Sequence, residues 1–382
     1  MENPKVALVS IGIGKFQRGF ERYFSDLFGV LRDELDITLY KSGGQSTAQE
    51  RIPKLLRPLT ATARPLPLGV VAQGAEYRYY KNDCLAFALA LLPEILRQRF
   101  DVIHVIDFPL AVALGKMRRW LRLPFRLVFT NGSWMPPQYC PAGAHVHHVA
   151  RLCYEEALAA GVPETQLTMV PCGVHIQRFA SRGRRAVREK YGISDSTFVI
   201  AAVSAVKRMH KRVDHIIEEV SRLKGDILLW IDGAPEDGSI PHLARERLGS
   251  RCRITKVASG EVGEIYNAAD VMVHAALTET FGLAIVEGIS TGLPVLVHDS
   301  PHFEWLVEDR DCLVDMSAPG KLAARLATLQ ANMDTLRKGS QVRAARVRQR
   351  FEWRVLVADY LAMYGKVAES SAVREDQLVV SQ

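Results

Sequence analysis

Long apolar runs are missing from this sequence of 382 residues. No stretch reaches the roughly 18 consecutive apolar residues that a membrane-spanning helix requires. Residues 1–10 pass from a short polar lead directly into a strand-like run, without the apolar region of a secretory signal. We therefore expect neither a membrane span nor a secretory leader, and any membrane contact would be peripheral.

A cysteine framework is also missing. The six cysteines show neither C-x-x-C spacing nor the compact arrangement of a disulfide-rich domain. They are Cys84, Cys140, Cys153, Cys172, Cys252 and Cys312. This usage predicts reduced thiols in a cytoplasmic protein, and it leaves a peripheral position on the cytoplasmic membrane face open.

The sequence has no strong excess of one charge. Lys and Arg number 49 against 42 Asp and Glu, which gives a formal net charge of +7. A mildly basic balance suits phosphorylated ligands or an anionic membrane surface and is weak evidence for nucleic acid, so we expect no nucleic-acid partner. The length favours two domains rather than one.

Short apolar runs alternate with helical patterns along the chain. Runs of strand length lie at residues 5–10, 36–40, 101–106, 126–130, 168–171, 197–203, 226–231, 253–257 and 270–274. Helical patterns lie at 19–32, 85–97, 109–120, 148–160 and 213–223. This alternation predicts βαβ units and therefore an α/β protein built on parallel sheets.

Two carboxylates, Glu279 and Glu287, flank a glycine directly after the strand at 270–274. The helix that opens at Gly282 ends at 292–294, so Glu279 lies in a loop at the carboxyl end of the strand, where α/β sheets bind ligands. Carboxylates accept hydrogen bonds from sugar or ribose hydroxyls. The alternative is an ordinary surface pair of glutamates on a buried βα unit.

Backbone N–H groups at the opening of this helix are suited to a phosphate. They belong to Phe281, Gly282 and Leu283. Together with the two carboxylates they predict a nucleotide-sugar site. A second element of the site is the basic loop at 207–212, which has Lys207, Arg208 and Lys211 and can neutralise a diphosphate; an exposed basic loop is the alternative.

Three further features are less specific. Gly12 and Gly14 begin a dinucleotide-type fingerprint, but Gln17 takes the place of its third glycine, so they either ease a tight turn or let a ligand approach the backbone. Asn131 follows the strand at 126–130 and either shapes a turn or contacts substrate. The histidines at 145, 147 and 148 lack the further ligands of a metal site, and we expect no metal.

The segment from Glu279 to Glu287, followed by Gly-Ile-Ser-Thr-Gly-Leu-Pro-Val, resembles the paired-glutamate signature of the retaining glycosyltransferases of family 4. The resemblance implies that Glu279 faces the donor sugar, that Glu287 holds the ribose and that the base lies near Val257 within 257–259. Lys211 matches a lysine that grips the pyrophosphate in this family. Ala205 stands where the family has an arginine, so Arg208 or Lys207 would substitute.

The first half of the chain shares further passages with the family. The run 18–22 looks like its Gly-x-Glu-Arg turn, which would place Gly12 near the donor phosphates, and 171–179 resembles the passage that ends its first domain. Asn131 stands where many members have a histidine near the transferred sugar. A neutral amide cannot take a proton from a hydroxyl, so no general base is assigned.

The resemblance implies the GT-B fold, two Rossmann-like doubly wound domains facing a cleft. We expect an acceptor-side domain at 1–177, a donor domain at 178–350, a closing helix at 351–367 that returns to the first domain, and a loose tail at 368–382. The arginine-rich start of the donor domain, 178–188, is expected to be a solvated connection. Acceptor-facing loops are expected at 42–69.

The expected activity is transfer of a sugar, with retention of configuration, from a UDP- or GDP-sugar to an unidentified acceptor in glycan, lipid-linked saccharide or glycoconjugate synthesis. Cations and backbone amides would stabilise the leaving diphosphate, so no metal or other cofactor is expected. Two alternatives stay open: a non-catalytic nucleotide-sugar-binding or scaffold protein of the same fold, and a nucleotide-sugar epimerase or hydrolase.

Overall fold

The computed structural model describes residues 3–15, 19–54, 73–179, 183–258, 260–332 and 334–370. The chain divides into two compact units, the first formed by Met1–Gly173 with Leu356–Gln382 and the second by Val174–Val355. Arg18, Ser259, and the parts of the predicted segments that fall at 55–69, 180–182 and 371–382 lie outside the described residues. Among the described residues, no helix is both long and apolar enough to cross a bilayer.

The first unit contains a seven-stranded sheet in the order β3-β2-β1-β4-β5-β6-β7, with every pairing parallel. Its strands are β1 Val6–Ser10, β2 Ile37–Lys41, β3 Glu50–Arg51, β4 Val102–Val105, β5 Arg126–Asn131, β6 His145–His148 and β7 Leu167–Met169. Helices connect them as α1 Gly19–Leu31, α2 Gln73–Gln98, α3 Phe108–Leu121 and α4 Arg151–Ala159, with 3₁₀ turns at Pro137–Tyr139 and Glu164–Gln166. The strand order reverses between β1 and β4, so the unit is doubly wound.

The second unit contains a six-stranded parallel sheet in the order β10-β9-β8-β11-β12-β13. Its strands are β8 Phe198–Val203, β9 Ile227–Asp232, β10 Cys252–Thr255, β11 Val271–His274, β12 Val295–His298 and β13 Leu313–Val314. Its helices are α5 Arg184–Tyr191, α6 Val213–Ser221, α7 Ser239–Leu248, α8 Val262–Ala268, α9 Leu283–Ser290, α10 Pro301–Val307, α11 Lys321–Ala331 and α12 Asp334–Phe351, with 3₁₀ turns at Ile176–Phe179, Gly249–Arg251 and Arg310–Cys312. Here the order reverses between β8 and β11. The predicted α/β class with two Rossmann-like units is confirmed.

The last helix, α13 Trp353–Glu369, starts in the second unit and belongs to the first from Leu356 onward. Its two fully buried tyrosines hold it against the first sheet. The hydroxyl of Tyr360 donates to the carbonyl of Pro171 at 2.9 Å, and that of Tyr364 lies 2.7 Å from Nδ1 of His104.

The predicted solvated connection at 178–188 is wrong over its described C-terminal part. Arg184–Tyr191 forms α5, and the Arg188 side chain is completely buried. Its guanidinium donates to the carboxylate of Asp270 at 2.9 Å and to the carbonyls of Ala268 and Thr197 at 3.0 Å. A dense run of arginines indicates a solvent-exposed surface when the sequence is considered locally, and here the acidic partner of Arg188 lies 82 residues away in the sequence.

The histidines at 145, 147 and 148 form strand β6 in the first sheet, so the predicted helix starts later than 148, at Arg151. Nδ1 of His147 lies 2.9 Å from Oγ1 of Thr130, and its Nε2 lies 2.8 Å from the carbonyl of Val170. Burial lowers the pKa of His147 to about 3. His147 and His148 are buried in the sheet, and burial lowers the pKa of all three histidines. No cluster of potential metal ligands is found among the described residues.

Candidate functional site

The loops after β8 and β11 meet where the strand order of the second sheet reverses. The loop after β8 contains Lys211, and the loop after β11 contains Glu279. In open α/β sheets this switch point is where a crevice for ligands forms, because the two loops separate to opposite faces. The fold therefore brings the predicted basic loop and the first predicted carboxylate to the same place.

Glu279 and Lys211 form a buried ion pair at this point. The Lys211 ammonium contacts Oε1 of Glu279, and Nε2 of His274 lies 2.8 Å from the same oxygen. Glu279 is 7% exposed. Burial by itself would raise the pKa of the Glu279 carboxyl, but the hydrogen bond and charge of His274 and the charge of Lys211 outweigh it and hold that pKa well below its usual range.

Helix α9 starts beside this pair, directly after Gly282, whose backbone conformation requires a glycine. Gly282 has φ of +100°, and a Cβ there would lie 2.9 Å from Cδ1 of Ile285 and 3.2 Å from Cδ2 of Leu306. Within the described part of the chain, the backbone N–H groups of Phe281, Gly282 and Leu283 donate no hydrogen bond. Three unpaired donors at a helix N-terminus attract an anion.

Glu287, the second predicted carboxylate, lies on α9 and is 2% exposed. Its Oε2 accepts a hydrogen bond of 3.0 Å from the hydroxyl of Tyr266 on α8. The adjacent Gly288 packs against β11, since a Cβ there would lie 2.8 Å from Sδ of Met272. Close packing of α9 on its own sheet thus keeps the carboxylate in a fixed place.

The other two predicted cations have partners other than Glu279. Lys207 pairs with Glu236 at 2.7 Å, and Nε of Arg208 donates to Oγ of Ser239 at 3.0 Å. Arg208 also lies 3.4 Å from the carboxylate of Asp214. Of the three predicted cations, the structure places only Lys211 in contact with Glu279.

Val257, the predicted neighbour of the base, follows β10. Its backbone N–H donates to Oδ1 of Asp232 at 2.9 Å, and the Thr255 hydroxyl donates to the same oxygen at 2.7 Å. Asp232 ends β9 and is 4% exposed, and burial raises the pKa of its carboxyl. The turn around Val257 is therefore fixed by a buried carboxylate of the adjacent strand.

In the first unit, Gly12 and Asn131 both have local packing roles. A Cβ on Gly12 would lie 2.3 Å from Oε1 of Glu21, so the glycine makes room for that side chain. The Asn131 amide donates to the carbonyl of Met135 at 2.9 Å and accepts from its N–H at 2.9 Å. For Asn131 the geometry favours the turn-shaping alternative over contact with a substrate.

Sequence reasoning missed His274, Tyr266 and Asp232. His274 had a signal, because it is a polar residue at the end of an apolar strand five positions before Glu279. Asp232 has the same position on its own strand, β9. Tyr266 had none, since its contact with Glu287 joins two helices that are separated by a strand.

Both the sequence and the structure of the chain are similar to those of known proteins. Residues 197–332 match the family described as "Glycosyl transferases group 1". The chain is 26% identical over 190 residues to the alpha-monoglucosyldiacylglycerol synthase of Acholeplasma laidlawii, covering 46% of this chain and 48% of the relative. It is 29% identical over 227 residues to the D-inositol 3-phosphate glycosyltransferase of Segniliparus rotundus, covering 55% and 50%.

The chain spans about half the length of these curated relatives. Among solved structures, the sucrose-phosphate synthase of Thermosynechococcus elongatus superposes with a TM-score of 0.77 at 16% identity, covering 96% of this chain and 100% of that one. Anabaena HepE in complex with UDP-glucose superposes with a TM-score of 0.73 at 16% identity, covering 94% and 100%. The chain therefore has the two-domain GT-B fold of glycosyltransferases, and its segment 197–332 carries the sequence pattern of the group 1 glycosyl transferases.

Proposed function

We propose that this chain is a retaining, metal-independent glycosyltransferase of family 4 that moves a sugar from a UDP- or GDP-sugar to an acceptor. The observation that carries the proposal is the buried pair of Lys211 and Glu279 beside the unpaired amides that open α9. The site offers positive groups to a diphosphate beside carboxylate oxygens that can accept from sugar hydroxyls.

Each part of the donor has a proposed partner. Lys211 and the amides of Phe281, Gly282 and Leu283 hold the diphosphate and stabilise the charge that develops as it leaves. Glu279 orients the donor sugar, and Glu287 accepts from the ribose hydroxyls. The base lies against the turn at Val257, and Lys207 and Arg208 contribute once they leave Glu236 and Ser239.

Binding of nucleotide-sugars to the purified chain tests the proposal. A ligand that binds only the folded state raises its stability by about 2.7 kcal/mol at a concentration of 100 times Kd. We expect one base among UDP-, GDP-, ADP- and dTDP-sugars to raise the melting temperature, and Lys211→Met and Glu287→Ala to abolish the rise. Arg310→Met is the matched control, because that arginine is exposed and pairs with Glu304.

Three results would redirect the proposal. If the purified protein binds none of these compounds at millimolar concentration, it does not have the proposed donor site. Binding without transfer to any acceptor in a broad panel would favour the non-catalytic alternative, whereas release of free sugar or of an epimer without an acceptor would favour a hydrolase or epimerase.

A peripheral membrane contact is the second part of the proposal. Trp120 and Leu121, at the C-terminal end of α3, are 76% and 52% exposed, and Lys116, Arg119 and Arg122 around them are exposed as well. An exposed indole among cations suits the interface of an anionic bilayer. The name of the Acholeplasma relative includes a diacylglycerol, which is consistent with a lipid acceptor for this chain too.

A further inference from the structure

His274 is fixed at the carboxyl end of β11, the strand that leads into the Glu279 loop. It is 5% exposed, and β11 pairs with β12 so that His274 lies opposite Val297. Its ring lies beside that of the buried Phe303, with 6.4 Å between centroids and 62° between planes. A strand on one side and an aromatic ring on another leave the imidazole little freedom to move.

Glu279 is held through one of its two oxygens. The hydrogen bonds from Lys211 and from Nε2 of His274 both end on Oε1, so neither of them occupies Oε2. Two donors on one oxygen fix the carboxylate plane and leave the second oxygen as the acceptor for a ligand.

The two donors differ in mobility. Lys211 is on a flexible four-carbon side chain in a loop, and its ammonium is attracted by any phosphate at the N-terminus of α9. His274 is on a strand and does not follow the ligand. When a diphosphate draws Lys211 away from Glu279, the hydrogen bond from His274 remains.

We propose that His274 is a positioning residue that keeps the Glu279 carboxylate aimed at the donor sugar while Lys211 turns to the diphosphate. This inference depends on the proposed nucleotide-sugar site and adds a residue to it. Without His274 the carboxylate would lose its one immobile partner, so recognition of the sugar would weaken while recognition of the nucleotide would not.

Calorimetry on the full chain tests this separation. The two Kd values are measured for each pair of UDP with UDP-glucose, GDP with GDP-glucose, ADP with ADP-glucose and dTDP with dTDP-glucose. The pair that binds the wild type is then used. In His274→Leu we expect the ratio of the Kd of the sugar nucleotide to that of the nucleotide to rise about tenfold to a hundredfold. The Kd of the nucleotide alone stays within about twofold, which also shows that the variant is folded.

Further variants separate positioning from a general loss of structure. His274→Gln keeps an N–H donor near the position of Nε2 and should restore most of the ratio. His298→Leu is the matched control, since His298 ends the neighbouring strand and its Nδ1 accepts from the Met316 N–H instead. If His274→Leu does not fold, His274→Asn replaces it, because the shorter amide cannot reach Glu279. Lys211→Met should weaken binding of both ligands.

The outcomes distinguish this inference from the proposed function. An unchanged ratio in His274→Leu, or equal weakening of both ligands, overturns the role of His274 and leaves the donor site in place. A wild type that binds no member of any pair overturns both.

Discussion

Replacing Arg188 by methionine removes the cation from a buried cluster in the second unit. Its guanidinium donates to the carboxylate of Asp270 and to the carbonyls of Ala268 and Thr197. The backbone N–H of Val199 in β8 donates to the same carboxylate at 2.9 Å. The cluster therefore joins α5, the end of α8 and the first strand of the sheet.

The size of the effect follows from burial. Arg188 is 0% exposed and Asp270 is 6% exposed, and removal of one partner from such a pair costs about 3–5 kcal/mol because the other charge remains buried. Arg184 is a matched control. It donates to the other oxygen of Asp270 at 2.7 Å, but 39% of its side chain is exposed, so we expect Arg184→Met to cost about 1 kcal/mol or less.

Hydrogen exchange of the intact chain, followed by mass spectrometry, measures this loss of stability separately for each unit. When reclosing is fast, exchange follows the free energy of local opening. A cost of about 3–5 kcal/mol raises the exchange rates in β8 by roughly two to nearly four powers of ten, while β1 in the first unit keeps its rates. An effect of Arg188→Met no larger than that of Arg184→Met would refute the reasoning.

The remaining predictions concern the first unit. Burial lowers the pKa of His147 from 6.5 to about 3, so the stability that the neutral ring contributes is complete above pH 6.5 and is lost as the pH falls towards 3. The free energy of opening of β6 is measured by hydrogen exchange, with the intrinsic pH dependence of exchange subtracted. As the pH falls from 6.5 towards 3, this free energy should fall more steeply in the wild type than in His147→Gln, by about 1.4 kcal/mol per pH unit. Equal slopes would contradict this prediction. Trp120→Ser should weaken binding to phosphatidylglycerol vesicles, measured by sedimentation, about tenfold. Tyr139→Ser should not, because this exposed aromatic residue lies in a segment, 127–150, that has no Lys or Arg. If the wild type bound phosphatidylcholine vesicles as strongly as phosphatidylglycerol vesicles, the cations around Trp120 would have no role in membrane binding.

The sequence was sufficient for most of the fold because its buried strands are apolar. Each predicted strand has a counterpart, and the ends differ by one or two residues. β6 was not predicted because three of its four residues are histidines. His147 is buried with both ring nitrogens paired, to the Thr130 hydroxyl and the Val170 carbonyl, and no local pattern indicates these contacts. β12 was not predicted either, because it has only four residues and follows the Gly-Leu-Pro stop directly.

The candidate site was predictable to the extent that its residues lie near each other in the sequence. Glu279, Gly282 and Glu287 share one strand-loop-helix passage, and their spacing indicated their arrangement. Lys211 was placed by its resemblance to a family motif, and its contact with Glu279 joins residues 68 positions apart. The partners of Lys207 and Arg208 are Glu236 in the loop after β9 and Ser239 at the start of α7. They were not predictable, because no local pattern links a basic loop to polar residues of the following βα unit.

The contacts of Glu279 also bear on which ligands the site prefers. In the proposed donor site, Lys211 contacts the diphosphate of the nucleotide and that of the nucleotide-sugar alike, so this contact does not distinguish the two ligands. Hydroxyl donors reach the Glu279 carboxylate only when the sugar is present, and His274 holds that carboxylate at Oε1 in either case. Glu279 therefore raises affinity for the nucleotide-sugar above that for the nucleotide alone. Since the nucleotide is the product of the proposed transfer, the same carboxylate that selects the donor favours product release.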